Sequence, residues 1–540
     1  MTEDSFDYVV IGAGTAGSVV AGRLSEAGKF RVCVLEAGPP DRNPFIHIPA
    51  GVLYTLRNPK INWMYEGVGS PGLAGRAIDH ARGRTLGGSG AINGHIYNRG
   101  QSMDFDTWSQ KGNRGWSYAE VLPYFMKSEN KIGGGDDGYH GVGGPFTVTD
   151  MDQPDPLSDA FIASAEAVGI PRNADYNGRR QEGIAYAQRS VHRGRRVSPA
   201  RAFLYPAMER GNTQVITDAH VLGIDIDEGR ARGVTFKVGG RNGDLRTVKA
   251  EREVILCAGA IASPHILQLS GIGPAAVLQD AGVPIVQELS GVGGNFRDHY
   301  AVRSVVRIQG VRTVNEKVRG LPLMWEVMKY AAARKGALAL TPTLVYCFWK
   351  SDPNLENGDI QLTFTPASYP GGVQSGLDRF PGATVACWQQ RPESKGYVRV
   401  RTSDPFSRPE IQGNYLAEAE DQRILLSALR LTRDILKAKP ISDFVDEELW
   451  PGPARQSDDE LLDHARQTGN TAYHPMGTCR MGPADQSDSV VDDRLRAHGI
   501  AGLRVADASI MPTMLSANLN AGSLMIGEKA ADMAIEEANA

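Results

Sequence analysis

Residues 7–36 read DYVVIGAGTAGSVVAGRLSEAGKFRVCVLE, and the fold class follows from them. DYVVI, at 7–11, is a short apolar run of the kind that forms a buried strand. A glycine-rich turn follows, a helix is expected from about Ala16 to Ala27, and RVCVLE at 31–36 reads as a second strand. Strand, turn, helix and strand make one βαβ unit, so a parallel sheet and an α/β class are expected. The turn itself, Gly12-Ala13-Gly14-Thr15-Ala16-Gly17, is a GxGxxG match between a strand and a helix. Glycines there let the backbone approach a pyrophosphate, and the amides of the helix N-terminus supply the donors. Glu36 closes the next strand at the spacing of an acid that accepts from ribose hydroxyls. It would repel a 2′-phosphate, so NADP fits poorly. The pattern alone does not choose between FAD and NAD.

Two further nucleotide-type segments lie far from the first. EVILC at 253–257 runs into a turn at Gly259, and LRVA at 503–506 reads as a late strand. A discontinuous dinucleotide domain with other elements inserted explains this spread. The inserted part has a different texture. DIQLTFT (359–365) and GYVRVR (396–401) alternate polar and apolar residues, which predicts half-buried antiparallel strands. Residues 421–437 carry Ile424, Ala428, Leu431 and Ile435 at helical spacing, an amphipathic helix. The expected division assigns 1–142, 195–300 and 467–540 to the dinucleotide domain, and 143–194 and 301–466 to a substrate domain on an antiparallel sheet.

Bulk properties narrow the function classes. The chain has 540 residues, more than one core usually holds. A net charge of −4 without a basic block argues against nucleic acid as partner. No apolar run is long enough to span a bilayer. The acidic start enters a strand directly and does not read as a secretory signal. Five scattered cysteines fit neither a disulfide framework nor a zinc site, so no metal is expected and a reducing cytoplasm fits best.

GRTLGGSGAINGHIYNRGQSMDFDTW, at 83–108, closely resembles the first signature of the glucose–methanol–choline (GMC) oxidoreductases. GAIASPHILQLSGIG at 259–273 resembles the second signature. GVGGNFRDH (291–299), HPMGTCRMG (474–482) and the tail 503–528 follow in that family's order. The resemblance is greatest to bacterial choline-dehydrogenase-like and aliphatic alcohol dehydrogenases. It implies FAD, a Rossmann-like FAD domain, and oxidation of an alcohol. It places Gly83, Arg84, Gly87, Gly88, Ser89, Asn93, Gly94 and Asn98 against the cofactor, with Val221 at the adenine and Asp507, beside Ala508, at the ribityl or pyrophosphate portion. Some choline-oxidising relatives attach FAD through a histidine just before the asparagine of the first signature. Ile92 stands there and His95 does not match, so non-covalent FAD is expected.

Alcohol oxidation needs a base for the hydroxyl proton and a donor that holds the oxygen. Of the 11 histidines, His474 opens the segment resembling the family's catalytic-histidine segment. Asn518, in SANLNAG at 516–522, matches its partner, and Asn520 is expected nearer the flavin. Hydride then passes to flavin N5, and O2 or a quinone-like acceptor takes the electrons. The resemblance favours a primary alcohol; no cation cage for choline is legible. Cys479 carries no expected role. Flavin-dependent lyases and fatty-acid photodecarboxylases share the architecture and stay open as alternatives. Oligomeric state and the acceptor are not legible, and a quinone acceptor would be compatible with peripheral attachment to the inner membrane.

Overall fold

The computed structural model describes residues 4–369 and 375–540. Two seven-stranded sheets organise them. In the first, Thr213–Ile216, Val32–Leu35, Asp4–Ile11 and Asp244–Leu256 lie side by side in parallel. Arg230–Val238 and Ala219–Asp227 continue it in antiparallel fashion. On the edge away from Asp4–Ile11, the 13-residue strand Asp244–Leu256 serves two neighbours. Its first half pairs with Arg230–Val238, and its second half pairs in parallel with Leu503–Val505. The sequence reading begins this strand at Glu253, because DLRTVKAER before it is polar. Those residues are largely exposed and belong to a hairpin that leaves the core.

The helix Thr15–Glu26 covers this sheet and packs against the C-terminal helix Leu519–Asn539. The crossing is close: a Cβ on Gly527 would stand 2.8 Å from the Ala16 carbonyl. Arg23 grips the buried Glu528 through two hydrogen bonds of 2.8 Å.

The second sheet is antiparallel throughout. Its main order is Val445–Trp450, Tyr300–Ile308, Gly382–Gln389, Ile360–Thr365, Val345–Trp349 and Gly183–Tyr186. Successive residues of a strand point to opposite faces, and the two faces have different tasks here. Val302, Val306, Val385, Cys387, Leu362 and Phe364 pack against the helices Pro156–Ala167 and Ala419–Lys437. The second of these buries Ile424, Leu425, Ala428, Leu429 and Ile435 on its sheet side. The opposite face presents Ala301, Arg303, Thr363, Thr365, Thr384, Ala386 and Trp388 to a cavity.

Polar alternation in 359–365 therefore marks a cavity wall and not a solvent face. All six residues of Ile360–Thr365 are buried, which corrects the half-buried expectation. Tyr397–Arg399 pairs with Glu410–Gln412 as a separate two-stranded piece. No helix among the described residues is long and apolar enough to cross a membrane. All five cysteines are buried and none forms a disulfide.

Candidate active site

The glycine turn opens onto a cavity of about 420 Å3 beside the carboxyl ends of the parallel strands, where open α/β sheets bind ligands. Gly12, Gly14, Thr15, Ala16, Glu36, Gly83, Arg84, Gly88, Ser89, Val221, Asp507 and Ala508 all line it. Glu36 is buried and accepts from the N–H groups of Ala13 (3.0 Å) and Gly38 (2.9 Å). Burial pushes its carboxyl up to about 7, against those two hydrogen bonds. The loop at 83–93 folds onto the glycine turn so closely that a Cβ on Gly88 would stand 2.7 Å from the Gly14 Cα. Arg84 lies over the Trp63 ring at 5.0 Å, and its buried Nε has no partner among the described residues. A glycine cradle, a buried acid and an unpartnered donor fit a dinucleotide.

A second cavity, about 240 Å3, adjoins the first. Thr15, Arg82, Ser89, Ala508 and Ser523 line both. Two helix N-termini meet at this junction, where the Thr15 hydroxyl donates to Asn520 Oδ1 at 2.9 Å. Their amides and dipoles favour electron-rich groups there. His474, Asn518, Asn520, Asn93, Gly94 and Ile92 all line the second cavity.

His474 is 9% exposed, and both of its ring nitrogens are engaged. Its Nε2 lies 3.0 Å from Asn518 Nδ2 and its Nδ1 lies 2.9 Å from His299 Nδ1. His299 Nε2 lies 2.7 Å from the Gln390 carbonyl. A carbonyl only accepts, so His299 Nε2 carries a proton. Burial holds His299 down to about 4, so the ring is neutral and its Nδ1 is bare. His474 Nδ1 must then donate. Burial, the His299 ring and Arg82 keep His474 well below the usual range, which leaves its Nε2 bare towards the amide of Asn518. The Oδ1 of Asn518 is buried without a partner among the described residues. One histidine nitrogen is thus prepared to take a proton, beside an amide that donates.

Two models described as GMC oxidoreductase match residues 6–301 and 392–527. The chain belongs to the GMC oxidoreductase family. Over 532 residues it is 40% identical to an oxygen-dependent choline dehydrogenase of Rhizobium johnstonii, spanning 97% of this chain and 95% of that one. An oxygen-dependent choline dehydrogenase of Vibrio vulnificus is 38% identical over 537 residues, with 99% and 95% covered. Among solved structures, pyridoxine 4-oxidase from Mesorbium loti matches with a TM-score of 0.87 and 30% identity, covering 97% of this chain and 98% of that one. Formate oxidase from Aspergillus oryzae RIB40 matches with a TM-score of 0.91 and 27% identity, both chains covered in full. This GMC oxidoreductase is an FAD-dependent enzyme acting on CH–OH groups.

Three residues expected at the cofactor line neither cavity of this GMC oxidoreductase. Gly17 serves helix packing: a Cβ there would stand 1.9 Å from the Gly12 carbonyl oxygen. Gly87 passes its N–H to the Ala13 carbonyl at 2.8 Å and so ties the two loops together. Asn98 is buried and accepts from the Gly100 N–H and from Gln181. Asp507 lines the first cavity, while its carboxylate already takes the Gly259 N–H, the Ser263 hydroxyl and the Ser509 N–H. Trp63 lines the first cavity, whereas Val52 and Leu56 line the second.

Several working residues escape the sequence reading. Asp298 accepts the His474 backbone N–H at 2.8 Å, the Tyr415 hydroxyl at 2.7 Å, and the Thr471 hydroxyl. The dipeptide Asp298-His299 thus holds His474 by backbone and ring together. Arg196, buried with its guanidinium pulled down to about 9, clamps the 90–93 loop through Gly90 O and both oxygens of Asn93. Arg82 donates to the Tyr473 carbonyl at 3.0 Å, next to His474. The aspartate–histidine pair at the end of GVGGNFRDH was the available signal for Asp298 and His299.

Proposed function

We propose that this enzyme oxidises a primary alcohol to the aldehyde, with His474 as base, Asn518 as the holder of the substrate oxygen, and FAD bound without a covalent link. The observation that carries this reading is the directed hydrogen-bond chain from Gln390 through His299 and His474 to Asn518, which ends in the cavity. A hydroxyl placed between the last two groups accepts from Asn518 Nδ2 and donates to His474 Nε2. Its proton moves onto that bare nitrogen as the carbinol hydride departs. The Trp388 ring, 6.4 Å from that of His474, lines the same cavity. When bound, FAD supplies the two-electron acceptor, taking hydride at N5. Glu36, Arg84 and the paired glycine loops would hold its nucleotide part, and Thr15, Ser89, Ala508 and Ser523 stand where the two cavities join.

Non-covalent binding is supported by the first-signature loop. Ile92 faces the second cavity, and His95 turns its Nε2 to the Pro49 carbonyl at 3.0 Å. The proposed division of labour is supported by sheet membership. Apart from the short Asn470–Thr471 pairing, the second sheet draws its strands from 183–186 and 300–450. The names of the relatives favour oxygen as electron acceptor over a quinone.

His474→Ala tests the reading. Losing a positioned base costs about 10²–10⁴ in turnover. The variant should purify yellow, with stoichiometric flavin, and lose that much kcat on any alcohol that bleaches the wild-type flavin without air. Retained kcat would remove His474 from the mechanism, and fast recovery of colour on admitting air would identify oxygen as acceptor.

A further inference from the structure

We propose that the alcohol carries a carboxylate at its far end and that Arg303, on the sheet wall of the second cavity, binds it. The inference rests on reading that cavity as the alcohol site.

The cavity wall is electrically one-sided. Its lining includes Arg82 and Arg303 and, among the described residues, no aspartate or glutamate. Arg82 is already engaged by the Tyr473 carbonyl and faces the buried Asp298. Arg303 is different. Among the described residues no carboxylate, carbonyl or hydroxyl partners its guanidinium, although it is partly buried. An arginine left unpaired in a concave site keeps five donors without acceptors, and a ligand is the natural source of acceptors.

Register explains how it comes to face the ligand. Arg303 pairs with Ala386, Ala386 with Thr363, and Thr363 with Tyr346. All four line the cavity, so Arg303 projects over small and hydroxylated neighbours that leave it room. The nearby hydroxyls are turned to protein groups: Thr384 donates to the Ala367 carbonyl at 2.8 Å, and Thr343 and Thr365 lie 3.4 Å apart. The lining also carries an apolar set, Val52, Leu56, Ile92, Ile96 and Trp388. Along the strand, Arg303 lies four residues beyond His299, about 13 Å at strand rise. A hydroxyl at one end, an aliphatic stem and an anion at the other end match this layout.

The anion is a monoanionic carboxylate. A single guanidinium fork complements a planar carboxylate with two parallel hydrogen bonds. A phosphate dianion would call for more donors, and Arg303 sits within a strand whose own backbone is paired across to Ala386. The same lining disfavours a quaternary ammonium alcohol, which would meet two cations and no anion. This chain then departs in substrate from the choline dehydrogenases that it resembles over its length.

The experiment compares ω-hydroxyhexanoate, hexanol and choline as substrates for the holoenzyme, alongside Arg303→Met and Arg303→Lys. Wild type should show the highest kcat/KM on ω-hydroxyhexanoate and the lowest on choline. In Arg303→Met the ratio of ω-hydroxyhexanoate to hexanol should fall about ten- to a hundredfold, the range of one charge-assisted pair. Arg303→Lys, which keeps the charge and lacks the fork, should fall between and covers the case in which methionine does not fold. A wild-type preference for hexanol or choline, or a ratio that both variants leave unchanged, overturns the assignment. Hexanoate binding, followed by calorimetry, separates the two levels. If no alcohol is oxidised yet hexanoate binds and Arg303→Met abolishes it, the carboxylate site stands and only the oxidation reading fails. If hexanoate does not bind the wild type, the site itself is wrong.

Discussion

A histidine that takes a proton must be neutral and must offer the right nitrogen. In this enzyme a backbone carbonyl decides which nitrogen that is. Gln390 fixes the proton of His299, His299 fixes that of His474, and Nε2 is left free. His299 is therefore a positioning residue, and its removal has a signature. His299→Ala should lower kcat about tenfold to a hundredfold by freeing the wrong tautomer, with FAD retained. His299→Asn, whose amide oxygen can accept from His474 Nδ1, should recover most of that loss. Equal loss in both variants would mean that His299 only fills space. The pH profile follows from the same groups. In the proposed mechanism His474 is the neutral base, and its pKa is depressed, so activity should be lost only when pH falls below that depressed value. kcat/KM should stay flat from pH 8 down through 6.5, where an ordinary histidine would already titrate. His474 and Asn518 were legible because each sits inside a recognisable local motif. His299 was not, since its meaning depends on a partner 175 residues away. Arg303 carried no signal either: one arginine in an alternating strand reads as a solvent-facing residue until the register is known.

The two glycine loops act as one element. Residues 12–17 and 83–93 interlock, and Gly88 takes a φ of +52° against the Gly14 Cα. Gly88→Ala adds a methyl that meets backbone, which cannot swing aside, in a left-handed conformation that side chains disfavour. The loops must separate, so FAD affinity should drop at least about tenfold, on the order of 1–2 kcal/mol of strain. Flavin fluorescence released on dilution measures it; unchanged retention would show that the loops part without cost to the cofactor. The turn at 12–17 was readable because strand, glycines and helix are contiguous. The partnership with Gly88 was not, because it joins segments about seventy positions apart in the chain. Strands show the same divide. Residues 8–11 of Asp4–Ile11 are apolar on both faces and plain to see, whereas half of Asp244–Leu256 is polar and lies outside the core. Ile360–Thr365 alternates as a half-exposed strand would, yet its polar side faces a cavity between two sheets. Local pattern reports polarity; only the assembled sheet tells whether the polar side meets water or a ligand.

At the scale of the molecule, the His299–His474–Asn518 chain lies beside the second cavity with both histidines buried, and burial keeps them neutral. That burial has a consequence for stability. Burial holds His80 down to about 3 and His265 and His299 down to about 4, and it also depresses His95 and His474 well below the usual range. In the unfolded chain each would titrate near 6.5. Below that value the unfolded state binds more protons than the folded one, so stability falls as pH falls. Two buried carboxylates oppose the trend. Asp298 is pushed up to about 6 and Glu36 to about 7, so the folded state binds their protons where the unfolded state has already released them. With the depressed histidines outnumbering the raised carboxylates, stability falls between pH 6 and pH 5. Urea unfolding followed at pH 7, 6 and 5 should therefore show its midpoint dropping steeply in the last step. Replacing one of these histidines, His265→Gln, should flatten the drop without raising stability at pH 7. A midpoint that holds steady to pH 5 would mean that water reaches these rings and that the catalytic chain is wetter than its burial implies.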